Sequence, residues 1–188
     1  PEWSALALME GPDFVRQAHE AFIEAGADVI TTNSYAIVPH HIGEDRFAAM
    51  ADDLLDLSGK LARDAVDGSA QDVRIAASIP PMFGSYVAEL FDEARGRDMM
   101  KRFRDRLAPY ADIFAGETLG SITEVRTCLD VFADCAADLW VSVTIEDDNP
   151  DMPRLRSGEP LEDLIAAIAG LRLDALCFNC SQHEGMND

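Results

Sequence analysis

Short apolar runs rich in β-branched residues alternate with amphipathic helical stretches along the whole chain. One helical stretch has apolar residues at a spacing of three or four, at Phe47, Met50, Leu54, Leu57 and Leu61. Five apolar runs occur, at 27–33, 73–78, 112–117, 139–145 and 174–179. This alternation is typical of βαβ units, in which helices cover a parallel sheet that is buried on both faces. The sequence therefore predicts an α/β protein.

The length of the repeat restricts which α/β fold the chain can adopt. Successive runs begin roughly 37 residues apart, and a (β/α)8 TIM barrel needs eight such repeats and typically about 250 residues. The 188 residues therefore supply either a complete open sheet of five strands or five strands of an incomplete barrel. An open dinucleotide-binding sheet usually has a glycine-rich loop after its first strand. The segment TTNSY, at 31–35, has no glycine, which disfavours that class.

Charge and cysteine content narrow the choice of partners and compartment. The chain has 15 Lys and Arg against 35 Asp and Glu, a net charge of −20, so we expect neither nucleic acid nor an anionic membrane as a partner. No apolar run reaches the length of a membrane span and no basic, apolar leader is present, so we expect a cytoplasmic protein. In such a protein, the four cysteines do not imply a disulfide framework.

Polar residues follow several of the predicted strands. In parallel α/β folds the chemistry gathers at the carboxyl ends of the strands, where this sequence places Asn33, Ser78, Glu117, Asn179 and Cys180. An Asn or Ser at such a position more often belongs to a turn or a helix cap than to a binding site. Glu117 is the strongest candidate, because a carboxylate next to an apolar run is costly unless it is paired.

Cys177 and Cys180 form a CxxC motif at the end of the last predicted strand. A redox role is disfavoured, because a redox motif usually lies at a helix N-terminus and residues three apart in a strand point to opposite faces. From the residues alone, Cys180 could be a nucleophile, a metal ligand or a small buried hydrophobic residue, and the last is the ordinary case.

Several distinctive motifs follow one another along the chain, namely WSALALME, EAGADVITTNSYAIVPHHIGEDRF, ASIPPMFGSY, GET at 116–118, LRSGEPLED and FNCSQ. In their order and spacing these motifs resemble the homocysteine S-methyltransferase family. The resemblance covers essentially the whole chain and implies a (β/α)8 barrel with one catalytic zinc ion that methylates the thiol of homocysteine. By this alignment the five strands are the second to the sixth of the barrel. We therefore expect residues 1–188 to form one homocysteine-binding domain that is incomplete at both ends.

The resemblance also implies roles for individual residues. Cys180, with Asn179 before it, matches a zinc ligand of the family, and Glu117 matches the residue that holds the amino group of homocysteine. Asn33 and Ser78 lie in segments that resemble walls of the substrate pocket. The family's other two zinc ligands are adjacent cysteines near its C-terminus, and nothing after Cys180 matches them, so we expect them outside these residues.

The methyl donor must carry an activated methyl group, as S-methylmethionine and S-adenosylmethionine do, and the sequence predicts neither which donor is used nor the oligomeric state. Two alternatives stay open. One is a barrel glycosidase that uses Glu117 as its acid, with a second carboxylate nearby. The other is a metal-free, non-catalytic family member that acts as a binding protein.

Overall fold

A computed structural model describes residues 2–147 and 152–182, which form a five-stranded parallel sheet with helices between the strands. The strands are β1 (Val29–Thr31), β2 (Arg74–Ile79), β3 (Ile113–Leu119), β4 (Asp138–Val143) and β5 (Ala175–Phe178). The helices are α1 (Ala5–Glu10), α2 (Pro12–Glu24), α3 (Pro39–Ile42), α4 (Glu44–Asp67), α5 (Glu93–Leu107), α6 (Ile122–Phe132) and α7 (Leu161–Ile168), with a 3-10 turn at Ala88–Leu90. The predicted α/β class and all five strands are confirmed.

The strands lie side by side in the order in which they occur along the chain, β1 to β5, and every neighbouring pair is parallel. The order does not reverse within the described residues, so this sheet lacks the switch point at which doubly wound sheets bind dinucleotides. Because the strands are parallel, their carboxyl ends share one edge of the sheet. The polar residues that follow the strands are therefore gathered at that edge.

Two aspartates at the opposite edge help to hold the strands in register. Asp112 accepts a hydrogen bond from the backbone amide of Ile75 (2.8 Å), and Asp174 accepts one from Leu139 (2.8 Å). Each aspartate precedes one strand and satisfies an amide of the strand before it, a group that would otherwise end the ladder unpaired.

The core lies between the sheet and the long helices. Phe103 of α5 and Phe132 of α6 are fully buried, and Phe132 packs on Phe114 of β3 with ring centroids 4.7 Å apart. Burying an apolar side chain of this size contributes roughly 1.5–3 kcal/mol. Among the described residues, no helix is long and apolar enough to cross a membrane.

The edge strands β1 and β5 are covered less completely than the strands at the centre of the sheet. β2 is buried over nearly its whole length, whereas β5 is half-buried and Phe178 is exposed. Beside β1, α2 buries Val15 and Ile23 but leaves Phe14 and Phe22 exposed, at 74% and 66%. Phe14 and Phe22 mark the helix by their spacing, yet they lie on the face that the described residues leave open.

Candidate functional site

Glu117 lies at the carboxyl edge of the sheet, beside a bulge in β3. The pairing of β3 with β4 shifts register between Gly116 and Leu119. Within this irregularity Thr118 has φ +60°, a left-handed conformation that is rare for a β-branched residue. Bulges re-aim side chains and are frequent beside active sites. Glu117 still follows the alternation of the strand, since it is partly exposed like Ala115 two residues before it.

Glu117 is partly buried and lies next to Ser78 of β2. Burial raises the pKa of the Glu117 carboxyl, and the Ser78 hydroxyl beside it lowers that pKa by a smaller amount. Ser78 is held by its backbone, since its amide donates to the Thr32 hydroxyl (3.0 Å) and its carbonyl accepts from the Ser34 hydroxyl (2.7 Å). The buried Oγ of Ser78 makes no hydrogen bond of normal geometry with any described side chain or backbone group. This part of the sheet edge thus offers a carboxylate and a hydroxyl to a polar ligand.

Cys180 is the second residue after β5 and is exposed. It has φ +51°, so the chain turns sharply after Asn179. This exposure overturns the ordinary expectation of a buried structural cysteine. All four cysteines are free, and Cys177 is half-buried within β5, so the CxxC motif is not a disulfide in this structure.

Asn179 links the Cys180 turn to the Glu117 bulge. Its side-chain amide donates to the Thr118 hydroxyl (2.9 Å) and lies 3.6 Å from the Cys180 sulfur. Its side-chain oxygen is buried and has no hydrogen-bond partner in the described part of the chain. The residues predicted from β3 and β5 are therefore linked across β4, so a thiol, an amide and a carboxylate lie at the same edge of the sheet.

Two residues that the sequence analysis did not single out also lie at this edge. Tyr86, in the loop after β2, lies beside the Cys180 thiol, and this contact, together with burial, raises the pKa of the tyrosine. The Arg156 guanidinium lies over the Tyr86 ring, 5.1 Å from its centroid. Tyr86 lies in ASIPPMFGSY and Arg156 lies in LRSGEPLED, two of the motifs that carry the family resemblance. These motifs were the sequence feature that could have identified both residues as candidates.

Asn33 is placed differently from the other predicted residues. Its side-chain amide donates to the backbone carbonyl of Ser4 (3.0 Å), which fastens the segment before α1. Its neighbours Thr32 and Ser34 make the contacts with Ser78 instead. A direct role of Asn33 in substrate binding stays a prediction.

The described residues include no group of three or more His, Cys, Asp and Glu side chains that could hold a metal ion. Cys180 nevertheless fits the requirements of a single zinc ligand, because it is exposed and lies at the open end of the sheet. The described residues thus supply one sulfur ligand, Cys180, to such a zinc site.

The buried carboxylate of Glu124 stabilises the segment that follows the bulge in β3. Glu124 in the first turn of α6 accepts a hydrogen bond from the Gly120 amide (2.8 Å), while the Ser121 hydroxyl accepts one from the Glu124 amide (3.1 Å). This reciprocal arrangement caps the helix and fixes the chain just after β3. Burial raises the pKa of Glu124 to about 7, and the hydrogen bond from Gly120 opposes this effect. Cys128, one turn further along α6, faces the carboxylate and has its own pKa raised to about 12 by burial and by that charge.

We expect Glu124→Gln to change how stability depends on pH. Because the folded-state pKa lies above the unfolded one, the folded protein binds the proton more tightly, and the wild type loses stability as pH rises from about 4.5 to 7. Glutamine keeps an acceptor for Gly120 but does not titrate. The free energy of unfolding of the variant relative to wild type should therefore increase by about 2–3 kcal/mol between pH 5 and pH 8 in urea titrations. Glu162→Gln on the exposed surface of α7 is the control, and an equal difference at both pH values would contradict the assignment.

Comparison with known proteins extends over the whole chain. The sequence profile of the family described as homocysteine S-methyltransferase matches residues 1–188. A homocysteine S-methyltransferase of Escherichia coli (strain K12) is 30% identical over 198 residues, which cover 95% of this chain and 62% of that protein. Homocysteine S-methyltransferase 1 of Brassica oleracea var. italica is 25% identical over 213 residues, which cover 100% of this chain and 64% of that protein. The chain thus spans less than two thirds of the length of these relatives.

Proposed function

Because the chain belongs to the homocysteine S-methyltransferase family, we propose that the protein transfers a methyl group from an activated donor to the thiol of L-homocysteine, giving L-methionine. The observation that carries this proposal is the presence of an exposed thiol, Cys180, and a partly buried carboxylate, Glu117, at one edge of the sheet. The Asn179–Thr118 hydrogen bond joins the two segments that hold them.

In this proposal Cys180 is one ligand of a catalytic zinc ion, and the other two cysteine ligands lie outside these residues. When bound, zinc would supply the positive charge that keeps the thiol of homocysteine ionised at neutral pH. Asn179 steadies the ligand, since its amide already lies beside the Cys180 sulfur. Groups behind a ligand commonly orient it in this way.

Glu117 binds the ammonium group of homocysteine. Partial burial destabilises the ionised carboxylate of Glu117, and the opposite charge of the substrate offsets this cost through a charge-assisted hydrogen bond. Ser78, with its unpartnered hydroxyl beside Glu117, contributes a further hydrogen bond to the polar end of the amino acid. The substrate is thus oriented with its sulfur towards Cys180, and orientation of this kind contributes much of the rate of a two-substrate reaction.

The methyl transfer itself is a displacement. The ionised sulfur of homocysteine forms a bond to the methyl carbon, and the bond from that carbon to the donor sulfur breaks, leaving its electron pair on the donor. A sulfonium such as S-methylmethionine or S-adenosylmethionine becomes neutral in this step. The proton lost from the homocysteine thiol goes to solvent.

We also propose that residues 1–188 form part of a single (β/α)8 barrel domain and supply its second to sixth strands. The strictly sequential order of β1 to β5 supports this arrangement, since barrel strands follow one another around the ring. The exposed Phe14 and Phe22 beside β1 and the half-buried β5 are the surfaces that neighbouring strands and helices would cover.

The test is an assay of the full-length protein with homocysteine and each sulfonium donor, together with its zinc content. We expect methionine formation with at least one donor and one zinc ion per chain. Zinc without methyl transfer to homocysteine from either donor would contradict the proposed reaction. Absence of both zinc and turnover would favour the non-catalytic binding protein, and hydrolysis of aryl glycosides that depends on Glu117 would favour the glycosidase.

A further inference from the structure

The turn that carries Cys180 has an irregular backbone. Residues 179–182 follow β5 without helix or strand geometry, and Cys180 is in the left-handed region. A non-glycine residue persists in such a conformation only when its surroundings hold it there. The contacts around the turn therefore determine where the Cys180 thiol points.

Arg156 binds one end of this turn. Its Nη2 donates to the Cys180 carbonyl (3.3 Å) and to Oδ2 of Asp147 (2.8 Å), and its Nε donates to the Thr144 hydroxyl (3.3 Å). Its guanidinium also covers the Tyr86 ring. One planar side chain thus connects the end of β4, the loop after β2 and the cysteine turn.

Asp147 binds the other end. Its Oδ1 accepts a hydrogen bond from the Gln182 amide (2.8 Å), while its Oδ2 pairs with Arg156. These two interactions, the Gln182 amide first, lower the pKa of the Asp147 carboxyl. The Arg156 and Asp147 side chains are only 21% and 27% exposed, so solvent screens this pair less than an ordinary surface pair.

We propose that Arg156 and Asp147 act as positioning residues that fix the direction of the Cys180 thiol and thereby set the metal affinity of the site. The pair holds the carbonyl of Cys180 and the amide of Gln182, so it encloses the cysteine from both sides. The metal part of this inference rests on the proposed role of Cys180 as a ligand. The positioning part rests on the contacts alone.

Arg154 offers a matched control on the same segment. Its Nη1 donates to the Gly158 carbonyl (2.7 Å), and the described structure shows no contact of its side chain with the cysteine turn. Arg156→Ala and Arg154→Ala therefore remove the same charge from neighbouring positions. Arg156→Lys and Asp147→Asn are the milder variants, because lysine keeps the charge without the planar fork and asparagine keeps an acceptor for the Gln182 amide.

The first measurement is hydrogen exchange of full-length, metal-free protein, read at the amides of Ser181 and Gln182. We expect faster exchange in Arg156→Ala than in wild type and Arg154→Ala, with a smaller increase in Asp147→Asn. The second is zinc affinity from competition with a chromophoric chelator. Loss of a group that orients a metal ligand typically costs about 10–100-fold in affinity, and we expect that loss in Arg156→Ala with partial recovery in Arg156→Lys.

Unchanged exchange in both Arg156→Ala and Asp147→Asn would overturn the positioning role. Faster exchange with zinc affinity equal to wild type would overturn the link to the metal. If wild-type protein binds no zinc, the proposed function fails, and the exchange data still decide whether the pair holds the turn. A cobalt-substituted protein whose absorption bands shift in Arg156→Ala but not in Arg154→Ala would support a change in ligand geometry rather than a general loss of structure.

Discussion

We expect Cys180→Ala to abolish zinc retention and methyl transfer in the full-length protein. The thiol is exposed at the end of β5, and alanine removes its sulfur donor without adding volume. Since loss of a group that merely orients a ligand costs about 10–100-fold, loss of the ligand itself should exceed that range. Metal analysis after dialysis and initial rates at saturating homocysteine measure the two effects, and stripping the wild type with a chelator should reproduce them reversibly.

Cys177→Ala is the matched control. Cys177 is half-buried within β5, three residues before Cys180, so its loss should cost some stability and leave zinc binding intact. If Cys180→Ala keeps one zinc ion per chain after dialysis, the ligand assignment is wrong. If Cys177→Ala loses zinc as well, zinc binding depends on the integrity of β5 in general, and the specific role of Cys180 is not supported.

The fold was predictable from sequence because the physical cause of each strand is local. β2 and β3 are apolar on both faces, as strands beneath helices must be, and α4 has a strict helical spacing of apolar residues. The short α1 and α3 were not predicted, since each spans barely a turn or two and the segments have no clear periodicity. The exposure of Phe14 and Phe22 was equally unpredictable, because spacing marks a helix without showing which neighbour covers it.

The site was predictable in part, for a related reason. Glu117 and Cys180 stand at the ends of apolar runs, where position alone made them candidates. The bulge at Thr118 gives no sequence signal, because a threonine in the left-handed region is held there by tertiary contacts. Tyr86 and Arg156 lie in irregular loops that are far apart in sequence and meet only in the tertiary structure. A contact between residues so far apart along the chain could not be predicted from local sequence patterns.

Glu117→Gln should weaken catalysis while leaving the fold at least as stable as wild type. Glutamine has the same shape but no charge, so it cannot make the charge-assisted hydrogen bond to the substrate ammonium that we propose for Glu117. A hydrogen bond to a charged group contributes about 1.5–3 kcal/mol, which corresponds to a fall in kcat/KM of roughly 10–150-fold, expected mainly as a higher KM for homocysteine. Glu162→Gln on the surface of α7 should leave the kinetics unchanged.

The stability of this variant separates binding from folding. Burial raises the pKa of Glu117, so ionising the carboxyl destabilises the folded state as pH rises above the unfolded pKa. Glutamine removes that penalty, and at neutral pH the variant should unfold at an equal or higher urea concentration than wild type. A loss of activity accompanied by a loss of stability would instead indicate that Glu117 serves the fold.

The pH dependence gives an independent check on the same carboxylate. If Glu117 binds the ammonium group of homocysteine as proposed, binding requires the ionised carboxylate, so the KM of the wild type should rise as pH falls through the raised pKa of Glu117. The Glu117→Gln variant has no group to protonate there, and its KM should stay level over the same range. An acid limb of equal size in both proteins would assign the titration to another group and contradict the contact between Glu117 and the substrate ammonium.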